Sequence, residues 1–205
     1  MQRKDVDLNT QVQQARALFD EGRDVPSQWV RDAVLRSWSR SRTQGVSPSN
    51  QVLHDAARRS ELSQIRDQHQ RLMRYAEPEM QRLFRSLGSA GWVLACVERQ
   101  GHSIKYFGND SPYYKVLGAA LNAGIDLSEG VAGTNAPGCA LIERRPSVVC
   151  GSEHFLHALR DLSCVAVPIF DPAGALVGAL NASKPYDGRP VGILESVALT
   201  SRAVE

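Results

Sequence analysis

Apolar residues follow two different spacings along the chain. Up to residue 88 they recur every three or four positions, a period that is typical of amphipathic helices. This pattern predicts a first helix that ends at Gly22, a second that opens at Pro26 and Ser27, and a third over residues 60–88. Pro78 lies inside the third helix and should kink or split it.

From Trp92 onward the pattern changes to short apolar runs separated by turn residues, which is typical of β-strands. Strands are predicted at residues 91–97, 103–107, 147–151, 163–170 and 175–183. Helices are predicted at residues 113–121, 138–144, 153–159 and 190–205. Thr134 or Asn135 should cap the helix over residues 138–144, because Thr and Asn are preferred at that position.

The segment Asp171-Pro172-Ala173-Gly174 has the residues that a type I turn prefers, and it predicts a hairpin. Pairing across this turn sets Cys164 opposite Asn181 and Ala166 opposite Ala179 on one face of the sheet. Small side chains in the middle of that face should leave room for a ligand. The other face is uniformly aliphatic and should pack on the long helices. A one-residue bulge in the turn would reverse this assignment.

Composition and charge narrow the class of protein. Hydrophobic residues make up 42% and charged residues 22% of the 205 residues, as in a globular domain, and the net charge is only +2. The weak charge argues against nucleic-acid binding. No apolar run is long enough to cross a membrane and no secretory signal is present, which predicts a cytoplasmic protein. The four cysteines form no C-x-x-C pair, so buried reduced thiols are expected.

Several separated motifs carry a family resemblance. They are Ser-Trp-Ser-Arg-Ser-Arg-Thr-Gln-Gly-Val at residues 37–46, Leu-Ser-Glu at 127–129, Gly-Thr-Asn-Ala-Pro-Gly at 133–138, Glu-His-Phe at 153–155, and Leu-Ser-Cys at 162–164 leading into Pro-Ile-Phe-Asp-Pro at 168–172. In this order they resemble the sensor domain of the acetoin and glycerol catabolism activators, which are regulators of sigma-54 RNA polymerase. The resemblance spans about residues 26–183. Pro137 and Asn181 depart from the family pattern, which often has an aliphatic residue and an aspartate there.

The resemblance implies an α/β (α+β) fold of the GAF type, an antiparallel sheet with helices preceded by an N-terminal helical segment. The implied division is a helical region at residues 1–88, a sensor core at 89–190 and a helix at 191–205 that leads to an effector domain. In the family that effector domain is an AAA+ ATPase followed by a DNA-binding helix-turn-helix. This chain has no glycine-rich phosphate loop, so ATP hydrolysis and DNA contact are expected outside it. The expected partners are a small-molecule effector, a second copy of the chain and the attached ATPase.

Six residues are candidates for contact with the effector: Thr134, Asn135, His154, Cys164, Asn181 and Trp92. The first two could present a hydroxyl and backbone N–H groups at a helix start, or serve only as caps. His154 could contact a ligand or tie a loop. Cys164 could be a buried small hydrophobe. No metal site is predicted, because His154 has only the adjacent Glu153 nearby in sequence.

Three functions remain open. The first is a ligand-binding module without enzymatic activity or cofactor, which signals through its terminal helices. The second is a cysteine-dependent enzyme, since some GAF-fold proteins reduce free methionine sulfoxide; Arg144 and Arg145 follow Cys139, but no resolving thiol is evident. The third is a dimerisation scaffold with no ligand. A dimer is expected because the long helix over residues 61–87 and the stripe of Val30, Val34 and Trp38 offer more apolar surface than one sheet face can cover.

Overall fold

A computed structural model describes residues 3–50, 59–87, 90–108, 124–190 and 192–205. The helices within these ranges are α1 (Arg3–Asp20), α2 (Asp32–Thr43), α3 (Arg59–Gln68), α4 (Gln70–Leu87), α5 (Glu129–Ala132), α6 (Ala136–Glu143) and α7 (Ile193–Val204). The strands are β1 (Val93–Glu98), β2 (Ser103–Phe107), β3 (Ser147–Cys150), β4 (Leu162–Phe170) and β5 (Leu176–Pro185). The helix predicted at residues 113–121 lies outside the described residues.

The five strands form one antiparallel sheet in the order β2-β1-β5-β4-β3. All five strands predicted from the sequence are present, and their ends differ by at most two residues. Helices cover both faces of the sheet, so the predicted α/β class is confirmed. Within the described ranges, no helix combines the length and apolar character needed to cross a bilayer.

Each face of the β4–β5 hairpin belongs to a different hydrophobic core. Cys164, Ala166 and Ala179 pack in a cluster with residues of α1, α2 and α6, among them Trp38, which is fully buried. Val165 and Leu180, on the opposite face, pack with Met80 of α4, Val197 of α7 and their neighbours. The prediction that the aliphatic face packs on a long helix is confirmed.

The register of this hairpin differs from the prediction by two residues. The Gly174 N–H donates to Asp171 O at 2.8 Å, as a type I turn requires, but the Asp171 N–H then donates to Ala175 O, which leaves Gly174 (φ +80°) as an extra residue. A second irregularity follows between Ile169 and Phe170. Cys164 therefore lies opposite Ser183, and Ala166 opposite Asn181. Two single shifts add to two, so the side chains beyond the second shift keep their predicted faces. Within the irregularity Leu176 and Val177 exchange faces: Leu176 packs with the cluster of Cys164 and Ala179, and Val177 with that of Val165 and Leu180.

The helices begin and break at other positions than predicted. Helix α2 begins at Asp32, because the chain after Pro26 makes a turn and Arg31 is extended. The third predicted helix is split at His69, whereas Pro78 lies inside α4. Helix α7 begins at Ile193 instead of Pro190, since Gly192 adopts a left-handed conformation (φ +78°) just before it.

The segment predicted as a helix over residues 153–159 consists of two short 3-10 turns, Gly151–Glu153 and His157–Leu159. Between them His154 is extended (ψ 140°), and the Phe155 N–H donates to Thr134 O at 3.1 Å. A helix here would remove that bond from Thr134 and turn Phe155 out of the core, where it is buried. The neighbouring prediction is confirmed: α6 occupies the helix expected at 138–144, and Asn135 is its cap.

Candidate ligand-binding site

Four of the six predicted site residues line one cavity. Asn135, His154, Cys164 and Asn181 surround a volume of about 10 Å³, roughly that of a single water molecule, between β5 and the residues that lead into α6. Ser183, two positions after Asn181 on the same strand face, also lines the cavity, whose surface is formed by apolar atoms. The rest of the lining is apolar, including Pro137 at the start of α6.

The segment over residues 133–138 forms one wall of the cavity and is rigidly built. Gly133 has a φ of +61°, and a Cβ there would lie 2.5 Å from Phe155 Cβ, so only glycine fits. Asn135 Oδ1 accepts from the Gly138 N–H at 2.9 Å, and Asn135 Nδ2 donates to Leu127 O and Gly133 O at 2.9 and 2.7 Å. Asn135 therefore uses its hydrogen-bonding groups to hold the wall.

Two predicted site residues lie away from this cavity. Thr134 is buried beside it, but its Oγ1 lies 2.7 Å from the Ser37 hydroxyl of α2 and does not line the cavity. Trp92 belongs to the core on the opposite side of the sheet, where the Lys184 ammonium lies 5.1 Å from its ring centroid. The structure does not bring Trp92 together with the other five.

His154, which lines the cavity, has an unpaired acceptor. Its Nδ1 lies 3.1 Å from Gly151 O, which requires the proton on Nδ1 and leaves Nε2 as an acceptor. Nε2 is buried and has no hydrogen-bond partner. Burial, opposed by the Gly151 bond and aided by the charge of Arg160, lowers the pKa of His154 to about 4. The ring is therefore neutral at physiological pH.

The buried His154 makes stability depend on pH. The unfolded imidazole takes up a proton near pH 6.5 and the folded one only near 4, so unfolding binds a proton between these values and stability falls as the pH falls through that window. Between pH 7.5 and pH 5 we expect a loss of about 2 kcal/mol in urea unfolding. His157→Gln, at an exposed ring, should keep this loss, whereas His154→Leu should remove most of it. An equal slope in both variants would contradict the assignment.

Asn181 has a second unpaired acceptor. Its Nδ2 donates to Ser183 Oγ at 3.0 Å, and the Ser183 hydroxyl donates to Cys164 Sγ at 3.0 Å. Asn181 Oδ1 is buried and has no partner. Leaving a buried acceptor unpaired costs roughly 1–3 kcal/mol. Two such acceptors, one from His154 and one from Asn181, therefore belong to side chains that line the same small cavity.

Residues 8–183 match the family described as MimR, N-terminal domain. The chain belongs to the MimR N-terminal domain family. One relative of this chain is an uncharacterized 47.3 kDa protein from the thcA 5' region of Rhodococcus erythropolis. It is 32% identical over 96% of this chain and 46% of the relative. Another is the propane 2-monooxygenase operon transcriptional activator MimR of Mycolicibacterium smegmatis, 31% identical over 81% of this chain and 27% of the relative.

The same fold occurs in a solved structure. The Escherichia coli DhaR(N)–DhaL complex contains a chain that superposes with a TM-score of 0.77 at 18% identity, covering 84% of this chain and 58% of that one. The predicted GAF-like fold and the predicted resemblance to catabolic activators are confirmed. The chain spans about half the length of the curated relatives it matches, or less, and the characterised ones are transcriptional activators of catabolic operons.

Residues of the family motifs at 37–46, 127–129 and 133–138 form a buried ion-pair cluster, for which the sequence alone indicated no role. Glu129, 1% exposed, accepts from Arg40 Nε and Nη2 at 2.6 and 2.8 Å. The Ser37 hydroxyl lies 2.7 Å from both Glu129 Oε1 and Thr134 Oγ1. Arg40 also contacts Glu143 of α6 at 3.0 Å. The cluster attaches α2 to the wall of the cavity. Its members are Ser37, Arg40, Glu129, Thr134 and Glu143.

A second buried carboxylate holds the loop that carries His154. Glu153 accepts from Arg31 Nη2 at 2.7 Å, from Arg189 Nη2 at 2.8 Å and from the Cys150 N–H at 2.9 Å. Its backbone oxygen accepts from Trp38 Nε1 at 2.7 Å. These bonds account for the position of the carboxylate. Among the described residues no group of three His, Cys, Asp or Glu side chains could hold a metal.

Two larger surface grooves lie elsewhere. A groove of about 510 Å³ runs between α4, the β4–β5 turn and the end of α7, and includes Tyr75, which is half exposed. Another of about 460 Å³ lies beside Trp92 and Arg189. Both exceed the cavity in volume, but neither is lined by a residue with a buried, unpaired polar atom. The two residues with buried, unpaired acceptors therefore distinguish the cavity from both grooves.

Proposed function

We propose that this chain is the effector-sensing domain of a transcriptional activator and that the effector binds in the cavity between β5 and residues 133–138. The observation that carries this proposal is the pair of unpaired buried acceptors, His154 Nε2 and Asn181 Oδ1. A folded protein tolerates such groups when a ligand or an ordered water supplies the missing partners. Functional sites often keep destabilising groups of this kind, and packing elsewhere in the protein offsets their energetic cost.

The volume of about 10 Å³ is too small for a metabolite, so binding requires the cavity to open. The wall at residues 133–138 is joined to α2 through the contact between Thr134 and Ser37. Displacing this wall displaces the attachment of α2. A ligand that binds only the open form shifts the population toward it, since only unequal affinity for two conformations changes their equilibrium. The proposed signal is this change in the helical layer.

The proposed output is an attached AAA+ ATPase, by analogy with the activators to which the chain is similar. A homodimer is also proposed, although the first reason for expecting it no longer holds: Val30, Val34 and Trp38 are buried within one chain. Helix α7 instead exposes Leu199, at 67%. We place the dimer contact there, and a light-scattering mass of two chains that Leu199→Glu reduces to one would support it.

The enzymatic alternative is disfavoured by the thiols. All four cysteines are buried and unpaired with one another. Burial raises the pKa of Cys96, Cys139 and Cys164 to about 12 and that of Cys150 to about 11. A reductase of the methionine sulfoxide type attacks with a thiolate, which these surroundings suppress. The curated relatives with a described role are regulators as well.

A thermal-shift screen of small metabolites tests the proposal, with Asn181→Leu and Tyr75→Ala as matched variants. Asn181→Leu removes the unpaired acceptor at similar volume and should unfold within about 1 kcal/mol of the parent. The effector should stabilise the parent and Tyr75→Ala but not Asn181→Leu. Loss of the shift only in Tyr75→Ala would place the effector in the surface groove. No shift with any metabolite would favour the ligand-free scaffold.

A further inference from the structure

We infer that the guanidinium groups of Arg16 and Arg160 form a binding site for a small oxyanion, a phosphate or a carboxylate group, where α1 packs on residues 155–160. This site is separate from the proposed effector cavity and stands whether or not that cavity binds a ligand. The observation that carries the inference is a pair of buried N–H groups, Arg16 Nη2 and Arg160 Nε, which have no hydrogen-bond partner within the described part of the chain. Buried donors of this kind require an acceptor.

Arg16 places a buried cation on the inner face of α1. The residue is 2% exposed, and its Cζ lies 4.2 Å from the ring centroid of Phe155 and 5.2 Å from that of Trp38. Its Nε donates to Asp20 Oδ1 at 2.9 Å and its Nη1 to Phe155 O at 3.4 Å, which leaves Nη2 without an acceptor. Because the Asp20 carboxylate is half exposed, water weakens its attraction for the buried charge.

Arg160 brings a second guanidinium toward the first. Its backbone N–H donates to His157 O at 3.2 Å, which closes a short 3-10 turn. Phe155, whose oxygen accepts from Arg16, leads into the same turn. Burial and the charge of Arg16 lower the pKa of Arg160, and the charge of Asp20 opposes them. The two guanidiniums therefore act on each other at short range, and Asp20 is a carboxylate that both of them feel.

The charge and the donors together select an oxyanion. Two guanidiniums with one carboxylate leave the site positive, so it repels cations, and a neutral acceptor would leave the repulsion between Arg16 and Arg160 in place. The oxygens of a carboxylate or a phosphate match the N–H groups of a guanidinium in direction and spacing. One such anion accepts from Arg16 Nη2 and Arg160 Nε and also offsets the repulsion. Arg160 is half-buried and Asp20 half exposed, so an anion in solution can reach the site.

A bound anion would strengthen the attachment of α1 to the loop that carries His154. Near its start, α1 contacts this loop through Asn9, whose Oδ1 accepts from the Ser152 N–H at 3.3 Å. The anion adds a charged contact at Arg16, toward the other end of the helix. Amide hydrogen exchange in α1 should therefore slow when the anion is bound, because local opening of the helix would break this contact.

Phosphate and acetate are the two probes, titrated at pH 7.5 with chloride holding the ionic strength constant. The ¹H–¹⁵N resonances of the Arg16 and Arg160 Nε–H groups should move and saturate in the millimolar range, about where weak single-ion sites are half filled. In Arg160→Gln, the affinity read at Arg16 should fall about tenfold or more, since a charged hydrogen-bond donor is lost. The matched control is Arg23→Gln, at an exposed arginine just after α1, which should bind as the parent does.

Asp20→Asn tests the competition for Arg16. Asp20 holds the Arg16 Nε and repels an incoming anion, so this variant should bind phosphate about three- to fivefold more tightly. In chloride alone, Arg160→Gln should melt no lower than the parent, because it removes a repulsive neighbour of Arg16. Saturating phosphate should then raise the melting temperature of the parent and of Arg23→Gln, but not that of Arg160→Gln.

Tighter binding of phosphate than of acetate would identify a site for a tetrahedral anion, and the reverse order a site for a carboxylate; either supports the inference. Three results would overturn it: shifts that never saturate, equal affinity in the parent and Arg160→Gln, or an Arg160→Gln variant that melts well below the parent in chloride. Each of these would make the two arginines structural, with water alone at their unpaired donors.

Discussion

Glu129→Ala is expected to lower the free energy of unfolding by about 3–5 kcal/mol. The carboxylate is 1% exposed and receives two bonds from the Arg40 guanidinium, and the Ser37 hydroxyl lies 2.7 Å from it. Removing it leaves a partly buried cation with Glu143 as its remaining partner and leaves Ser37 with one contact fewer. Urea unfolding measures the change. Because the cluster joins α2 to the cavity wall, any variant that still folds should also lose the effector response.

The matched control is Glu79→Ala, which breaks a pair with Arg82 on the exposed side of α4. Such a surface pair contributes about 0–1 kcal/mol, so this variant should unfold nearly as the parent does. If both substitutions lower the free energy of unfolding by the same small amount, the bonds of Glu129 do not stabilise the attachment of α2 to the cavity wall.

Ala179→Phe is expected to cost about 3 kcal/mol or more, at the upper end of the overpacking range. Ala179 is fully buried between Pro168 and Val97 of the neighbouring strands, and it belongs to the core that α1, α2 and α6 cover. A phenyl ring there has no space to enter. The melting temperature of the variant, compared with Ala203→Phe at an exposed position of α7, measures the effect.

Ala203→Phe should change stability by less than about 0.5 kcal/mol, as surface substitutions usually do. If Ala179→Phe were as mild and only the effector response were lost, the middle of this face would be the binding space that the sequence predicts. The structure places the cavity nearer Ser183, because the two hairpin shifts move Asn181 beside Ala166 and leave Ala179 in the packed core.

The secondary structure of the sheet was predictable because strand period and turn residues are local. Asp171 to Gly174 marked the hairpin, and alternation assigned the side chains of β4 and β5 to their faces, except at Leu176 and Val177 beside the second irregularity. The register was not predictable, since the bulge after Ile169 has no marker in its residue types. The two 3-10 turns around His154 depend on a bond to the distant Thr134, which no local pattern reveals.

The candidate site was predictable in part, for a similar reason. Asn135, His154, Cys164 and Asn181 stood out as polar or reactive residues in apolar surroundings or in family motifs. Ser183 was missed, although it shares a strand face with Asn181. Trp92 was assigned to the site by its residue type, whereas strand alternation places it on the other side of the sheet. The division at residue 88 and the cytoplasmic location stay predictions.

The most direct test of the central claim is a backbone amide map of the domain titrated with the effector found in the metabolite screen. The largest ¹H–¹⁵N shift changes should occur in the wall at residues 133–138, at His154 and at Asn181, with smaller ones in α2 near Ser37. The Gly138 amide is especially informative, because Asn135 Oδ1 holds it in the closed form. Changes confined to Tyr75, Phe170 and Val204 would contradict the account and place the ligand in the surface groove.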